Sequence, residues 1–360
     1  MLEFSNQSNW LAGLYPGWDF KHEHQFTAVF KVSYQFDETG KLTLIEDAPP
    51  LVEADEHRGA ALTTSLQAVS EIAPFKEGSE IYLYGTARPD RDGLVAMEVG
   101  IGILFTDKKQ WKKVLRIFGK RTWKKTMVNY IHGENPGSVE EILLSYEYAF
   151  GGGNPEDDQD VFEANPTGLG YNSDQRNLFS EELPRIEMGP DFVNSPMQKP
   201  TPAGFGPLPL FWEPRVSDAG EPVSDPTTQG GCPYSKTAKR CIHNVAPYDQ
   251  RFKKPFTGGE IIHLRALVPD VRHKTAVQIV LPTLNPQLYT IIDNVAENLT
   301  PICDTVVINA DDKIVSMIYR AGIPWRLTDR RKGWVVLKDM DTKELPHDKE
   351  GRDAPRMASN

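Results

Sequence analysis

The chain has 360 residues, with 40 Lys or Arg against 50 Asp or Glu and a net charge of -10. That length is enough to bury a sizeable core, either as one large β-rich body or as two or three domains. The acidic balance gives no whole-chain electrostatic footprint for nucleic acid or an anionic membrane, so a partner has to be met through shape or local patches. The start, MLEFSNQSNW, has neither a basic n-region nor an apolar h-region, and the longest apolar run, LVAMEVGIGILF, is interrupted by Glu98. Together these predict a cytoplasmic protein. Cys232, Cys241 and Cys303 form no even framework and no C-x-x-C pair, which suits a reducing compartment and structural thiols.

Between Gln25 and Thr122 short β-type runs alternate with turn residues: FTAVFKVSYQF, DETG, KLTLIE, then EIYLYGTA, LVAMEVGIGILF and VLRIFGKRTW. Period-two alternation bounded by Gly, Pro or Asp is the strand signature, and DETG reads as a hairpin turn. KVLRIFGKRTW reads as a hairpin with a basic outer face. Short helices are expected only around 56–69, with Gly59 as its one interruption, and 139–144, because few other places offer a 3.6-residue period without Gly or Pro. From 151 to 240 the GGGNPEDDQD run, NPTGLGY and many prolines leave few strands. β-type runs resume with EIIHLRALV, AVQIVL, QLYTII and DTVVINADDKIVSMIY, with NADD as a second hairpin turn.

The expected fold is therefore mainly β. Residues 1–150 and 241–340 form two antiparallel units, sandwich-like or barrel-like, joined by the loop-rich region 151–240. A disordered polar tail follows from 341 to 360.

Few residue sets invite chemistry. His22 and His24 carry the spacing of two ligands on one strand face, but no third follows nearby. Cys232, Cys241 and His243 lack zinc spacing, and the acidic loop around Asp157 lacks the glycine and terminal glutamate of a calcium loop. Gly151 to Gly153 precede no lysine, so no phosphate cradle is predicted. G-x-S-x-G, H-E-x-x-H and catalytic-cysteine signatures do not occur. The expectation is a non-enzyme with no cofactor and no metal. The alternative is a β-rich hydrolase or carbohydrate-active enzyme with a site near Asp249 and Glu260.

The informative stretch is 204–251, GFGPLPLFWEPR followed by CIHNVAPYDQRF. Pro207, Pro209 and Pro214 fix φ and remove donors, so Phe205, Phe211 and Trp212 sit on semi-rigid irregular backbone as core plugs or interface anchors. His243, Asn244, Asp249, Gln250 and Arg251 are either an internal hydrogen-bonded brace around Pro247 or direct contacts. Nine Lys or Arg lie between Lys108 and Lys125, interleaved with Trp111, Phe118 and Trp123. Among them Lys112, Lys113, Lys124 and Lys125 are candidates for docking an acidic protein surface, with a solvated face or a nucleic-acid site as the other readings.

The ordered blocks FTAVFKVSYQFDETGKLTL, APPLVEADEHRG, SEIAPFKEGSEIYLYGTA, LRIFGKRTW, YEYAFGG, NPTGLGY, GFGPLPLFW, HNVAPYDQ and DTVVINADDKIVSMIYR resemble the bacterial domain-of-unknown-function family 2169 over about residues 10 to 335. The resemblance implies a cytoplasmic, non-enzymatic adaptor or chaperone that binds a type VI secretion effector or its PAAR domain and assists loading onto the VgrG spike. It places emphasis on Lys31, Asp55, Lys76, Gly119, Arg121, Asn165, Asn244, Asp249, Gln250 and Arg320, mostly as architecture. The chain has Glu71 and Glu80 where the family more often shows Asp, and His243 where an aromatic often precedes the asparagine.

Overall fold

The computed structural model describes residues 2–339 except 62, 128, 134–135, 175–177, 179–180, 191, 272–275 and 327–330. The polar tail that the sequence marks as disordered lies outside the described residues. Among those described, no helix is long and apolar enough to cross a membrane.

Strand His24–Phe36 shows how composition becomes architecture. Its side chains alternate faces: Ala28, Phe30, Val32 and Phe36 enter the main core, while Thr27, Lys31 and Ser33 point the other way yet are also buried. Partner strand Ile314–Pro324 repeats the pattern, with Val315, Met317 and Tyr319 on the core side and Ser316 and Arg320 opposite. These two belong to a seven-stranded sheet in the order Arg251–Phe252, Ser79–Tyr84, Ile302–Asn309, Ile314–Pro324, His24–Phe36 and Leu11–Trp18, with Leu42–Leu44 also on His24–Phe36.

A five-stranded sheet runs Ile186–Glu187, Gln110–Phe118, Ala96–Leu104, Ile261–Arg265 and Ala276–Val280. Its inward residues Val99, Ile101, Leu115 and Leu264 share one hydrophobic core with the first sheet. A four-stranded sheet, Leu2–Asn6, Gly333–Lys338, Gln287–Ile292 and Val295–Leu299, adds Leu2, Leu288 and Val335 to the same core. The protein is thus mainly β, and the sheets do not close into a barrel.

The strands are distributed differently from the expected one unit per half. All three large sheets contain strands from both halves, and two parallel pairs tie the halves together: Ser79–Tyr84 with Ile302–Asn309, and Leu2–Asn6 with Gly333–Lys338. Each of these pairings covers a strand edge that would otherwise present open backbone groups.

The second face of the seven-stranded sheet is polar but enclosed, because irregular chain around 50 and from 71 to 74 is pinned across it. Lys31 donates to the Pro50 carbonyl at 2.8 Å and pairs with Glu71 at 2.7 Å. Arg320 pairs with Asp304 at 2.7 Å and donates to the Ala73 carbonyl at 2.5 Å. Thr27 donates to the Pro74 carbonyl at 3.2 Å. Buried charges of this kind are tolerated only when paired and hydrogen-bonded, and here each pairing fixes covering backbone.

The DETG and NADD turns form as expected. Asp37 Oδ1 accepts from the backbone N–H of Thr39 and Lys41, and Asn309 Oδ1 from that of Asp312. The two expected helices do not form. Segment 56–69 holds the strands Glu56–His57 and Leu66–Ala68, because Leu66 and Val69 pack with Tyr82, Val245 and Ala246. Segment 139–144 pairs Ile142–Leu143 with Thr86–Ala87, burying Ile142 and Leu144 at a spacing of two.

KVLRIFGKRTW is not a hairpin either. Gln110–Phe118 pairs with Ala96–Leu104, while Trp123–Lys125 pairs with Tyr130–His132. The chain changes sheets at Gly119, where a Cβ would sit 1.9 Å from the Gly137 carbonyl oxygen, so another stretch of backbone crosses at the point of the break.

Candidate functional site

The proline-rich segment after Gly204 is held against the seven-stranded sheet by its own backbone. The Leu83 N–H donates to the Phe205 carbonyl at 3.1 Å, and the Leu208 N–H to the Val245 carbonyl at 2.8 Å. Phe205 and Trp212 are completely buried, and the Tyr146 ring meets Trp212 edge-on at 5.5 Å. As core plugs they are out of a partner's reach in this conformation. Phe211 is half-buried and stacks near His57 at 5.7 Å, while Leu210 and Val216 are 45% and 44% exposed.

The helix Arg215–Ala219, unforeseen because it spans a single turn after Pro214, is anchored by buried Arg215. The guanidinium donates to the Leu208 carbonyl at 2.6 Å and the Ile242 carbonyl at 3.0 Å. Burial draws its pKa down to about 10, against the pull of Glu80.

The block 243–251 is knitted into the fold. Asn244, fully buried, accepts from the Glu77 N–H at 3.0 Å and donates to the Glu77 carbonyl at 3.3 Å. The Glu80 carboxylate accepts from Lys76 and from the Val245 and Ala246 N–H groups at 2.9 and 3.1 Å. Gln250 donates to the Ile81 and Phe205 carbonyls at 2.8 Å each and accepts from Lys113 at 2.9 Å. Arg251 donates to the Ala246 carbonyl at 2.8 Å and lies 4.0 Å from the Tyr248 ring centre. These contacts give the brace arrangement, although Asn244 and Asp249 reach residues far away in sequence and not the neighbouring turn.

Segments 53–74, 210–223 and 233–245 enclose an open groove of about 720 Å³. Val69, Ile72, Pro74, Ile242 and Val245 line it together with Leu210, Phe211, Val216 and Ala219, and Glu53, Asp55 and Glu221 supply exposed carboxylates. Gly220 in its wall has φ +72°, and a Cβ there would meet Thr237 Oγ1 at 2.5 Å. His243 is in the lining, between Phe75 at 4.7 Å and Tyr234 at 5.6 Å, with Nε2 enclosed and lacking a hydrogen-bond partner. Burial, with Arg320 and Arg215 adding to it, pulls the imidazole pKa down to about 3, so the ring is neutral at physiological pH.

The metal readings find no support in the geometry. Cys241 donates to Asp218 at 3.4 Å and Cys232 to the Tyr234 carbonyl at 3.8 Å. His24 lies in a strand, but His22 lies in the preceding turn at φ +64°, so the two do not share a strand face. Among the described residues no group of three or more His, Cys, Asp or Glu is placed to hold a metal. Glu260 is buried and accepts from the Thr257 and Gly258 N–H groups at 2.9 Å each, which fixes that turn.

In the basic region the pleat separates the candidates. Lys112 is exposed, whereas the side chain of Lys113 is only 3% exposed and pairs with Asp249 at 2.9 Å. Burial lowers the Lys113 pKa and Asp249 opposes it. Lys124 and Lys125 are exposed on the short strand Trp123–Lys125. Lys109, Lys120 and Arg121 pair with Asp107, Glu182 and Glu187, which thins the positive face.

Sequence reasoning missed the groove residues Leu210, Val216, Ile72 and Glu221. No local pattern marks them, because three separate segments come together to create the channel. A family model described as an uncharacterized protein conserved in bacteria, domain of unknown function 2169, matches residues 21–320, and the chain belongs to that family. No curated protein and no solved structure matches the chain.

Proposed function

We propose that this member of the family is an adaptor that binds a type VI secretion effector, PAAR-containing or PAAR-associated, and assists its loading onto the VgrG spike. The observation that carries the reading is the groove: an apolar channel open to solvent, with Leu210 and Val216 exposed on walls that Arg215 and Asn244 hold in place. Exposed apolar surface rimmed by polar residues marks interaction sites, and walls that need no ordering lower the entropic cost of association. The ordered sequence blocks that resemble effector-associated adaptors point the same way. Such a protein works by binding energy alone: it covers an effector surface, holds it, and yields it to the larger interface of the spike.

Co-expression with a PAAR-containing effector from the same bacterium, followed by size-exclusion chromatography, tests this. The two chains should elute together. Failure to co-elute with every such effector would overturn the adaptor reading.

A further inference from the structure

We propose that the groove seats a basic amphipathic segment of the protein partner: apolar side chains enter the channel beside Leu210 and Phe211, and flanking Lys or Arg side chains meet Glu53, Asp55 and Glu221. The proposal rests on the adaptor reading above and adds the chemistry of the occupant.

Charge decides the sign. The exposed ionised groups of the lining are the three carboxylates, Glu53, Asp55 and Glu221. The one cationic side chain there, Arg215, is buried, and its Nη1 and Nη2 are spent on the Leu208 and Ile242 carbonyls. His243 adds no positive charge, because its environment holds the imidazole neutral far below physiological pH. The mouth is therefore negative in a chain that is itself at -10, a field that draws cationic segments and repels acidic ones. The apolar part selects independently of charge. Leu210, Phe211 and Val216 lose water contact only when an occupant covers them.

Rigidity favours a defined seat. Gly220 leaves no room for a Cβ beside Thr237, and Asn244 clamps both backbone groups of Glu77, so the walls keep their spacing without an occupant. Among the described residues, His243 Nε2 is the one buried side-chain nitrogen or oxygen of the lining without a hydrogen-bond partner, an unusual cost.

Two probes test the proposal on the full chain. The first is a fluorescein-labelled peptide of alternating leucine and lysine pairs, compared by anisotropy with its leucine–glutamate counterpart. The lysine peptide should bind and the glutamate peptide should not. L210S/V216S should weaken binding about tenfold at all salt concentrations, and E53K/E221K about tenfold at low salt with the loss shrinking as salt rises. Unchanged melting temperatures keep both variants interpretable. Equal or tighter binding of the glutamate peptide, or no effect of either variant, overturns the proposal.

The second probe is the co-expressed PAAR effector, carried through the same variants. A complex that forms equally well with all of them overturns the groove as the seat while leaving the adaptor reading intact. Absence of any complex with the unmodified protein removes the adaptor reading itself, and the peptide result still decides the chemistry of the groove.

Discussion

Strand Gln110–Phe118 and the stretch 204–251 both carry side chains that the sequence marks as partner contacts, yet the fold exposes them by different rules. In the strand the pleat decides: Lys112 faces water, and Lys113, one residue on, is enclosed and meets Asp249 and Gln250. In the proline-rich stretch there is no period, so exposure depends on what packs there from elsewhere. Phe205 and Trp212 are swallowed by the core, Phe211 stays half-covered and Leu210 is left in solvent. In this strand alternate positions fall on opposite faces, one exposed and one enclosed. On irregular backbone the tertiary partner sorts the side chains.

The sharpest way to break this comparison is to reverse two adjacent lysines. Lys113→Glu places a carboxylate in a buried site beside Asp249, and should cost about 3–5 kcal/mol of stability in chemical denaturation. Lys112→Glu, in water, should stay within about 0.5 kcal/mol. Equal losses would mean that the pleat does not separate the two.

A second buried pair tests the irregular region through pH. Burial alone would raise the Glu80 pKa, but Lys76, the Ala246 N–H and Arg251 outweigh it and hold the carboxyl below its ordinary range. A depressed carboxyl contributes stability that is fully present above its unfolded pKa, about 4.3, and is lost as pH falls through the lower folded value. Glu80→Gln should lower stability at neutral pH by about 3 kcal/mol, because the enclosed Lys76 ammonium loses its counter-charge. The variant should also flatten the decline below pH about 4. An acid limb with the same slope in both proteins would remove Glu80 from the brace.

Gln250→Ala takes from Lys113 one of its two acceptors and from the Phe205 carbonyl one of its donors, for an expected loss of about 1–3 kcal/mol. The effector or peptide affinity of the residual folded protein should be nearly unchanged. A loss of affinity without a loss of stability would move Gln250 from brace to contact.

Much of the β architecture was legible because period-two runs such as FTAVFKVSYQF and DTVVINADDKIVSMIY state their faces and turns directly. What escaped was what distant chain does to a local pattern. Leu66 and Val69 leave a helical reading because Tyr82, Val245 and Ala246 receive them, and Lys31 and Arg320, marked as architecture by the family resemblance alone, find their carbonyl partners at Pro50 and Ala73. The groove was illegible for the same reason, since Ile72, Leu210 and Glu221 carry no shared signal along the chain. Its neighbours Phe211 and His243 were marked, and the adjoining Asn244 was marked as well but serves inside.

The smallest expected effect on stability carries the most information about the basic face. Lys112, Lys124 and Lys125 are exposed, so the triple replacement by Glu should change stability by no more than about 0.5 kcal/mol. Lys113 must be left in place, because its reversal would unfold the site and imitate a loss of docking. If an acidic surface of the partner is steered to this face while a basic segment enters the groove, the triple variant should slow association with the PAAR effector several-fold at low salt and flatten its ionic-strength dependence. Dissociation should hardly change, because steering acts before close contact and apolar burial in the groove governs release. Identical association rates at every salt concentration would leave the positive face as solvated surface. Tight, salt-sensitive binding of the unmodified protein to random DNA would hand that face to nucleic acid instead.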